Sequence, residues 1–194
     1  MSDDGRIAGV ILAGGLGRRM GGVDKGLRPL RGKPMVQWVL ERFAPQVDQV
    51  LINANQHVQQ YGAFGYPVIP DQIAGFAGPL AGLHAALSTT SLPFVATVPC
   101  DSPFLPADLV ARLQRALVQR GADLAAARTL TQSHPVFCLC RRTVLPQLTA
   151  FLTAGGRKID QWHDTLTAVE VAFDDQIEAF SNINTPEELA HFEG

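Results

Sequence analysis

Residues 10–27 read VILAGGLGRRMGGVDKGL, where an apolar run breaks into glycines, two arginines, more glycines and an Asp-Lys pair. Glycines let backbone N–H groups approach an anion closely. Arginine grips two oxygens at once, while lysine acts as a point charge. Gly14, Gly15 and Gly17 with Arg18, Arg19 and Lys25 therefore suit a polyphosphate. Backbone donors would cradle it, and Arg19 and Lys25 would balance its charge; residue type alone does not rank Arg18 against Arg19. The plainer alternative is a flexible glycine turn with solvated bases. Two standard phosphate patterns fail here. A P-loop lysine needs a glycine before it, but Lys25 follows Asp24; Lys33 follows Gly32 but has Leu27 where the first glycine belongs. The dinucleotide pattern starts at Gly15 and Gly17 and then meets Met20.

Other reactive residue types form no constellation. His57, His84, His163 and His191 occupy helical or polar positions without ligand spacing, and no Ser-His-Asp or Cys-His set emerges, which argues against acyl transfer. Cys100, Cys138 and Cys140 contain no CxxC pair. Cys138 and Cys140 lie two apart in an apolar run, so both face one side of a strand and read as buried small hydrophobes.

The elements that must position the loop follow from the apolar pattern. IAGVILA (7–13) is short, β-branched and bounded by glycine, a buried strand. PMVQWVLERF (34–43) puts Met35, Val36, Val39, Leu40 and Phe43 on one helical face. QVLIN (49–53), YPVIPD (66–71) and PFVATVPCD (93–101) read as further strands, with PLAGLHAALST (79–89) a helix between the last two. PADLVARLQRALVQRG (106–121) is a helix opened near Pro106 and closed by Gly121. ADLAAA (122–127), HPVFCLC (134–140) and LTAVEVAF (166–173) are predicted strands, and TVLPQLTAFLTAGG is a helix. NTPEELAHF carries a capping box, with Thr185 as cap and Glu188 three residues on. Alternating strands and helices imply an α/β three-layer sandwich: a mainly parallel, Rossmann-like sheet with helices on both faces. Ligands of such sheets bind outside the carboxyl ends of the strands, in the loops after Ala13, Asn53, Pro70, Pro99 and Cys140. We expect a single domain over 1–194, with no internal repeat or linker.

The composition, 46% hydrophobic and 18% charged with net charge -2, gives no basic surface for nucleic acid. No apolar run approaches the length of a membrane span. The acidic MSDDGR start has no signal-peptide pattern, and the sparse cysteines suit a reduced compartment, so a cytoplasmic protein is expected.

LAGGLGRRMGGVDK resembles the signature loop of nucleotidyltransferases that attach a nucleoside monophosphate to a phosphorylated acceptor. GGVDKGL, INAN (52–55), GPLAGL (78–83), PCDSPF (99–104) and NINTPEEL (182–189) narrow the match. Together they resemble the molybdenum cofactor guanylyltransferase family, nearly end to end and in unbroken order. The match is weakest over 122–134 and 159–180.

The resemblance implies a nucleotidyltransferase-type fold and transfer of GMP from GTP to the terminal phosphate of molybdenum-loaded molybdopterin, with Mg2+, releasing pyrophosphate. Carried over by position, Leu12, Ala13, Gly14, Lys25, Asn53, Asp71 and Asp101 match GTP contacts, and Asp101 also matches the magnesium ligand; Gly15 joins them from the glycine loop. One carboxylate with waters and substrate phosphates is the usual way to hold magnesium, although Asp101 could instead cap a helix. Arg19, Lys25 and Asp101 are the expected catalytic residues. Asn53 and Asp71 could accept the N1–H and N2–H of guanine, or Asp71 could merely shape the turn after Pro70. Asp24 reads as a loop-shaping residue. On the acceptor side stand Arg157 and Lys158 of GGRK and, two apart before the capped helix, Asn182 and Asn184; His134 either borders that pocket or is structural. Partners implied are GTP, the pterin, and proteins of molybdenum cofactor synthesis and delivery. Competing readings are a sister enzyme using CTP or a sugar phosphate, and a non-catalytic nucleotide-binding regulator.

Overall fold

The computed structural model describes residues 5–14, 24–73 and 78–181. Its strands are β1 (Ile7–Leu12), β2 (Pro29–Leu30), β3 (Lys33–Pro34), β4 (Gln49–Asn53), β5 (Val68–Ile69), β6 (Phe94–Pro99), β7 (Leu124–Thr129), β8 (Gln132–Arg141) and β9 (Ala168–Ala172). Its α-helices are α1 (Met35–Phe43), α2 (Val58–Gly62), α3 (Pro79–Thr89), α4 (Leu109–Arg120), α5 (Leu145–Thr153) and α6 (Ile159–His163). Seven strands form one sheet in the order β5-β4-β1-β6-β8-β7-β9, and β2 and β3 form a separate small hairpin.

Strand alternation sorts the core onto two faces. Ile7, Ile11, Val50, Ile52, Phe94 and Val98 meet the apolar stripes of α1 and α4, including Val36, Phe43, Leu109 and Leu113. Ala8, Val10, Leu51 and Val95 face Leu80, Leu83 and Leu87 of α3, Leu148 and Leu152 of α5, and Trp162 of α6. Cys138 and Cys140 both lie in this second layer, fully buried, as their two-residue spacing requires. The result is a mixed α/β, mostly parallel sheet with helices on both faces.

The departure from parallel order is β8. β1 pairs in parallel with β4 and β6, and β7 with β9, but β8 runs antiparallel to both β6 and β7. The strand expected at 122–127 lies two residues later, the one expected at 134–140 extends at both ends, and the two join through Leu130 and Thr131 alone; so short a connection can only reverse the chain. Leu130 takes φ 50° there without the glycine or asparagine that would have announced a hairpin, and its N–H donates to Asp174 at 2.6 Å.

β5 shrinks to two residues because Pro67 and Pro70 bracket it and cannot donate to the ladder. α4 starts at Leu109 rather than near Pro106, and its first turn is completed from afar: the Val110 N–H donates to Gln46 Oε1 at 3.0 Å. Gly121 ends it in the left-handed conformation, as expected. The short helices α2 and α6 and the β2–β3 hairpin add to the expected elements; five residues or fewer leave too little period to read. The capping box at Thr185 lies outside the described residues. Among the described residues no helix is long and apolar enough to cross a membrane.

Candidate active site

The carboxyl ends of β1, β4, β5 and β6 lie side by side, so the residues that follow them share one edge. Backbone bonds extend the register past the strands: the Ala13 N–H donates to Asn53 O at 2.8 Å and the Cys100 N–H to Leu12 O at 3.2 Å. Gly14, Asn53, Asp71 and Asp101 thus gather from four separate segments. Leu12 and Ala13 turn their side chains into the core region, and it is their backbone that reaches this edge.

Lys25 comes to the same edge from the other end of the glycine loop. Its Nζ donates to Asp101 Oδ2 at 3.2 Å, with the lysine side chain 30% exposed and the aspartate 12%. The turn carrying it is tied to α1, for the Val36 N–H donates to Gly26 O at 2.9 Å and the Met35 N–H to Arg28 O at 2.8 Å. Asp24 Oδ1 accepts the Gly26 N–H at 3.1 Å and also the hydroxyl of Tyr61, which reaches over from α2. This agrees with the loop-shaping reading of Asp24.

A second cluster centres on Asp71. Asn53 Nδ2 donates to Asp71 Oδ1 at 2.9 Å and to Ile69 O at 3.2 Å; Asn55 Nδ2 donates to Asp71 Oδ2 at 2.8 Å. The Asp71 N–H returns a bond to Asn55 Oδ1 at 2.8 Å. Asn53 is buried, while Asp71 is half-buried and Asn55 exposed. A carboxylate oxygen accepts more than one hydrogen bond, so Asp71 keeps acceptor capacity toward a ligand. The amide of Asn53 is already committed to orienting it. Asn53 fits because α3 approaches without a side chain: a Cβ at Gly82 would overlap both Asn53 Oδ1 and Leu12 Cδ2. Asn55 in INAN and Gly82 in GPLAGL carry no expected role from the sequence; the repeated amide and small residues of those stretches are the signal that marks them.

Of the expected acceptor residues, Arg157 and Lys158 lie among the described residues. β8 ends at the opposite edge, α5 runs back, and GGRK follows its end. Arg157 Nη1 caps that end, donating to Leu152 O at 2.9 Å and Gly156 O at 2.6 Å, while Lys158 is exposed. Neither forms part of the Lys25–Asp101 or Asp71 clusters. His134 stacks on Phe180 with centroids 4.7 Å apart, its Nε2 lies 2.6 Å from Thr129 Oγ1, and burial holds its pKa below the ordinary value. Gly15, Gly17, Arg18, Arg19, Asn182 and Asn184 lie outside the described residues.

No group of three or more His, Cys, Asp or Glu gathers as a metal cage among the described residues. Asp101 is instead a single carboxylate at the ligand edge, beside a cation suited to phosphate. That donor set matches magnesium, which keeps its waters and takes substrate phosphates as ligands. The site can therefore neutralise a bound polyphosphate through Lys25, hold a hydrated divalent ion on Asp101, and offer acceptors to a base at Asp71.

Comparison with known proteins adds the family context. A family model described as the MobA-like NTP transferase domain matches residues 9–166. The chain is 52% identical over 188 residues to a molybdenum cofactor guanylyltransferase of Cupriavidus necator, covering 94% of each chain. It is 50% identical over 193 residues to one of Bordetella petrii, covering 97% of this chain and 98% of the other. Among solved structures it is similar to molybdopterin-guanine dinucleotide biosynthesis protein A from Archaeoglobus fulgidus, with TM-score 0.80, 26% identity and 96% of each chain covered. A 2-C-methyl-D-erythritol 4-phosphate cytidylyltransferase of Thermus thermophilus shares the fold, with TM-score 0.69 at 17% identity over 95% and 96% of the two chains.

Proposed function

The chain belongs to the MobA-like NTP transferase family, and on that premise we propose that it transfers GMP from GTP to the terminal phosphate of molybdenum-loaded molybdopterin. An oxygen of the acceptor phosphate bonds to the α-phosphorus of GTP, the bond from that phosphorus to the β-phosphate bridge breaks, and pyrophosphate leaves. The product is the guanine dinucleotide form of the cofactor. The observation that carries the reading is the meeting of Lys25 and Asp101, 3.2 Å apart at the ligand edge, in a chain aligned almost end to end with guanylyltransferases.

Such transfer asks a protein mainly to position reactants and stabilise charge on phosphate oxygens. A divalent cation is general to nucleotidyltransferases of this kind; we assign magnesium, held by Asp101. When bound it supplies positive charge to the phosphate oxygens. Lys25, with Arg19, serves the β- and γ-phosphates that become the leaving group. The backbone of Leu12, Ala13, Gly14 and Gly15 lines the nucleotide, and Asp71, oriented by Asn53, accepts from guanine. Arg157, Lys158, Asn182 and Asn184 serve the acceptor. The whole chain, 1–194, acts as one domain, in the cytoplasm, alongside proteins that make and receive the cofactor.

Pyrophosphate release with each of the four nucleoside triphosphates, with and without molybdenum-loaded pterin, tests this. We expect magnesium-dependent release from GTP only with the acceptor. Equal release without it would mean a hydrolase, and preference for CTP a sister transferase.

A further inference from the structure

Tyr61 lies in α2, outside the loop that carries the phosphate-binding residues, and is fully buried. Its hydroxyl donates to Asp24 Oδ1 at 2.5 Å, the same oxygen that accepts the Gly26 N–H. Lys25 sits between those two bonded residues. Gly26 is pressed against this partner, for a Cβ there would come within 2.5 Å of the Tyr61 hydroxyl and 3.2 Å of Cys100 Sγ. Cys100 in turn adjoins Asp101. The Tyr61 phenol therefore holds the Asp24–Gly26 turn, and Gly26 packs between that phenol and Cys100, the residue just before Asp101. Burial first, then Cys100 and Asp24 beside it, pushes the Tyr61 phenol far up, so it stays protonated and donates. A buried tyrosine hydroxyl needs a partner, but most backbone or solvent partners would have done. Here the partner is a carboxylate flanking the proposed phosphate-binding lysine, and a hydrogen bond to a charged group is among the stronger ones.

We propose that Tyr61 is a positioning residue for nucleotidyl transfer: through Asp24 it holds the Asp24–Gly26 turn so that the Lys25 ammonium is kept at Asp101 and the leaving phosphates. The proposal rests on the transferase reading above. It differs from a packing role in a definable way. The ring of Tyr61 fills the core whether or not it carries a hydroxyl, but only the hydroxyl restrains Asp24. Loss of that restraint displaces Lys25 without removing it, and a small misplacement of a charge-stabilising group is costly to the rate.

Tyr61→Phe keeps the ring and removes the bond. With wild type turning over GTP and acceptor, we expect this variant to lower kcat about tenfold with KM for GTP little changed, because charge on the departing pyrophosphate develops in the transition state. In a Lys25→Ala background the same change should cost almost nothing further, and Asp24→Ala should not add to it. A second readout is independent of the reaction: acetic anhydride labelling followed by mass spectrometry, in which Tyr61→Phe raises the rate at Lys25 relative to Lys33 and Lys158. Unchanged labelling with unchanged kcat overturns the proposal. So does an equal loss of kcat with and without Lys25, which marks Tyr61 as structural. Altered Lys25 labelling in a protein whose wild type releases no pyrophosphate keeps the positioning role and overturns the transferase reading instead.

Discussion

The Lys25 ammonium lies 3.2 Å from Asp101 Oδ2, across 76 positions of sequence. Two groups that the sequence could only nominate separately, one as a phosphate counter-charge and one as a metal ligand, meet as an ion pair. On the proposed reading, the lysine serves phosphate and the carboxylate a metal ion.

Asp101→Asn therefore separates function from folding. The amide keeps the shape and can still accept from Lys25, but loses the charge that holds a cation. Turnover should fall about a hundredfold or more, most steeply at limiting magnesium, with the melting temperature nearly unchanged. A near-normal rate at limiting magnesium would remove Asp101 from the metal site.

Asp71 is gripped by both Asn53 and Asn55, and this grip should appear in base selection. Asp71→Ala should erode the preference for GTP over CTP in kcat/KM, since a site that hydrogen-bonds its substrate discriminates strongly against analogues that cannot return the bond. Asn55→Ala should do the same to a smaller degree, because Asn53 still holds Oδ1. An unchanged ratio in both variants would make Asp71 a turn residue.

Gly82 sits in α3, where a helix former would ordinarily be welcome. Gly82→Ala should instead destabilise by about 1–3 kcal/mol, because its methyl overlaps Asn53 Oδ1 and Leu12 Cδ2. Denaturant unfolding measures the loss, and a stabilised variant would show that α3 shifts freely.

His134, His84 and His163 all have pKa values lowered by burial from the ordinary 6.5. Each binds its proton more weakly folded than unfolded. Their contribution to stability is therefore complete above pH 6.5 and is lost as pH falls below that value toward the lowered ones. The melting temperature should drop on acidification through this window. His134→Phe, which keeps the ring stacked on Phe180, should make the drop shallower; an identical pH profile would mean that His134 protonates freely in the fold.

Much of this architecture is written in local pattern. The 3.6-residue stripe of Met35 to Phe43, the leucines of α4 stopped by Gly121, and the short β-branched run at Ile7 each bury one face, and burial of one face is what periodicity encodes. The order of strands and helices follows from those patterns, and because parallel strands end at one edge, so does the place where Gly14, Asn53, Asp71 and Asp101 meet; the loop after Cys140, expected at that edge too, falls at the other because β8 is antiparallel. What only the tertiary structure decided depends on partners distant in sequence. The direction of β8 rests on Leu130 accepting a positive φ, a choice no turn residue announces. The commitment of the Asn53 amide to Asp71, the space that Gly82 leaves for it, and the reach of Tyr61 to Asp24 join segments 18 to 37 positions apart. Residue types name the groups able to bind a nucleotide, but hydrogen bonds are short and directional. Which of those groups faces the ligand and which holds its neighbour in place is set when the packed layers bring them within reach.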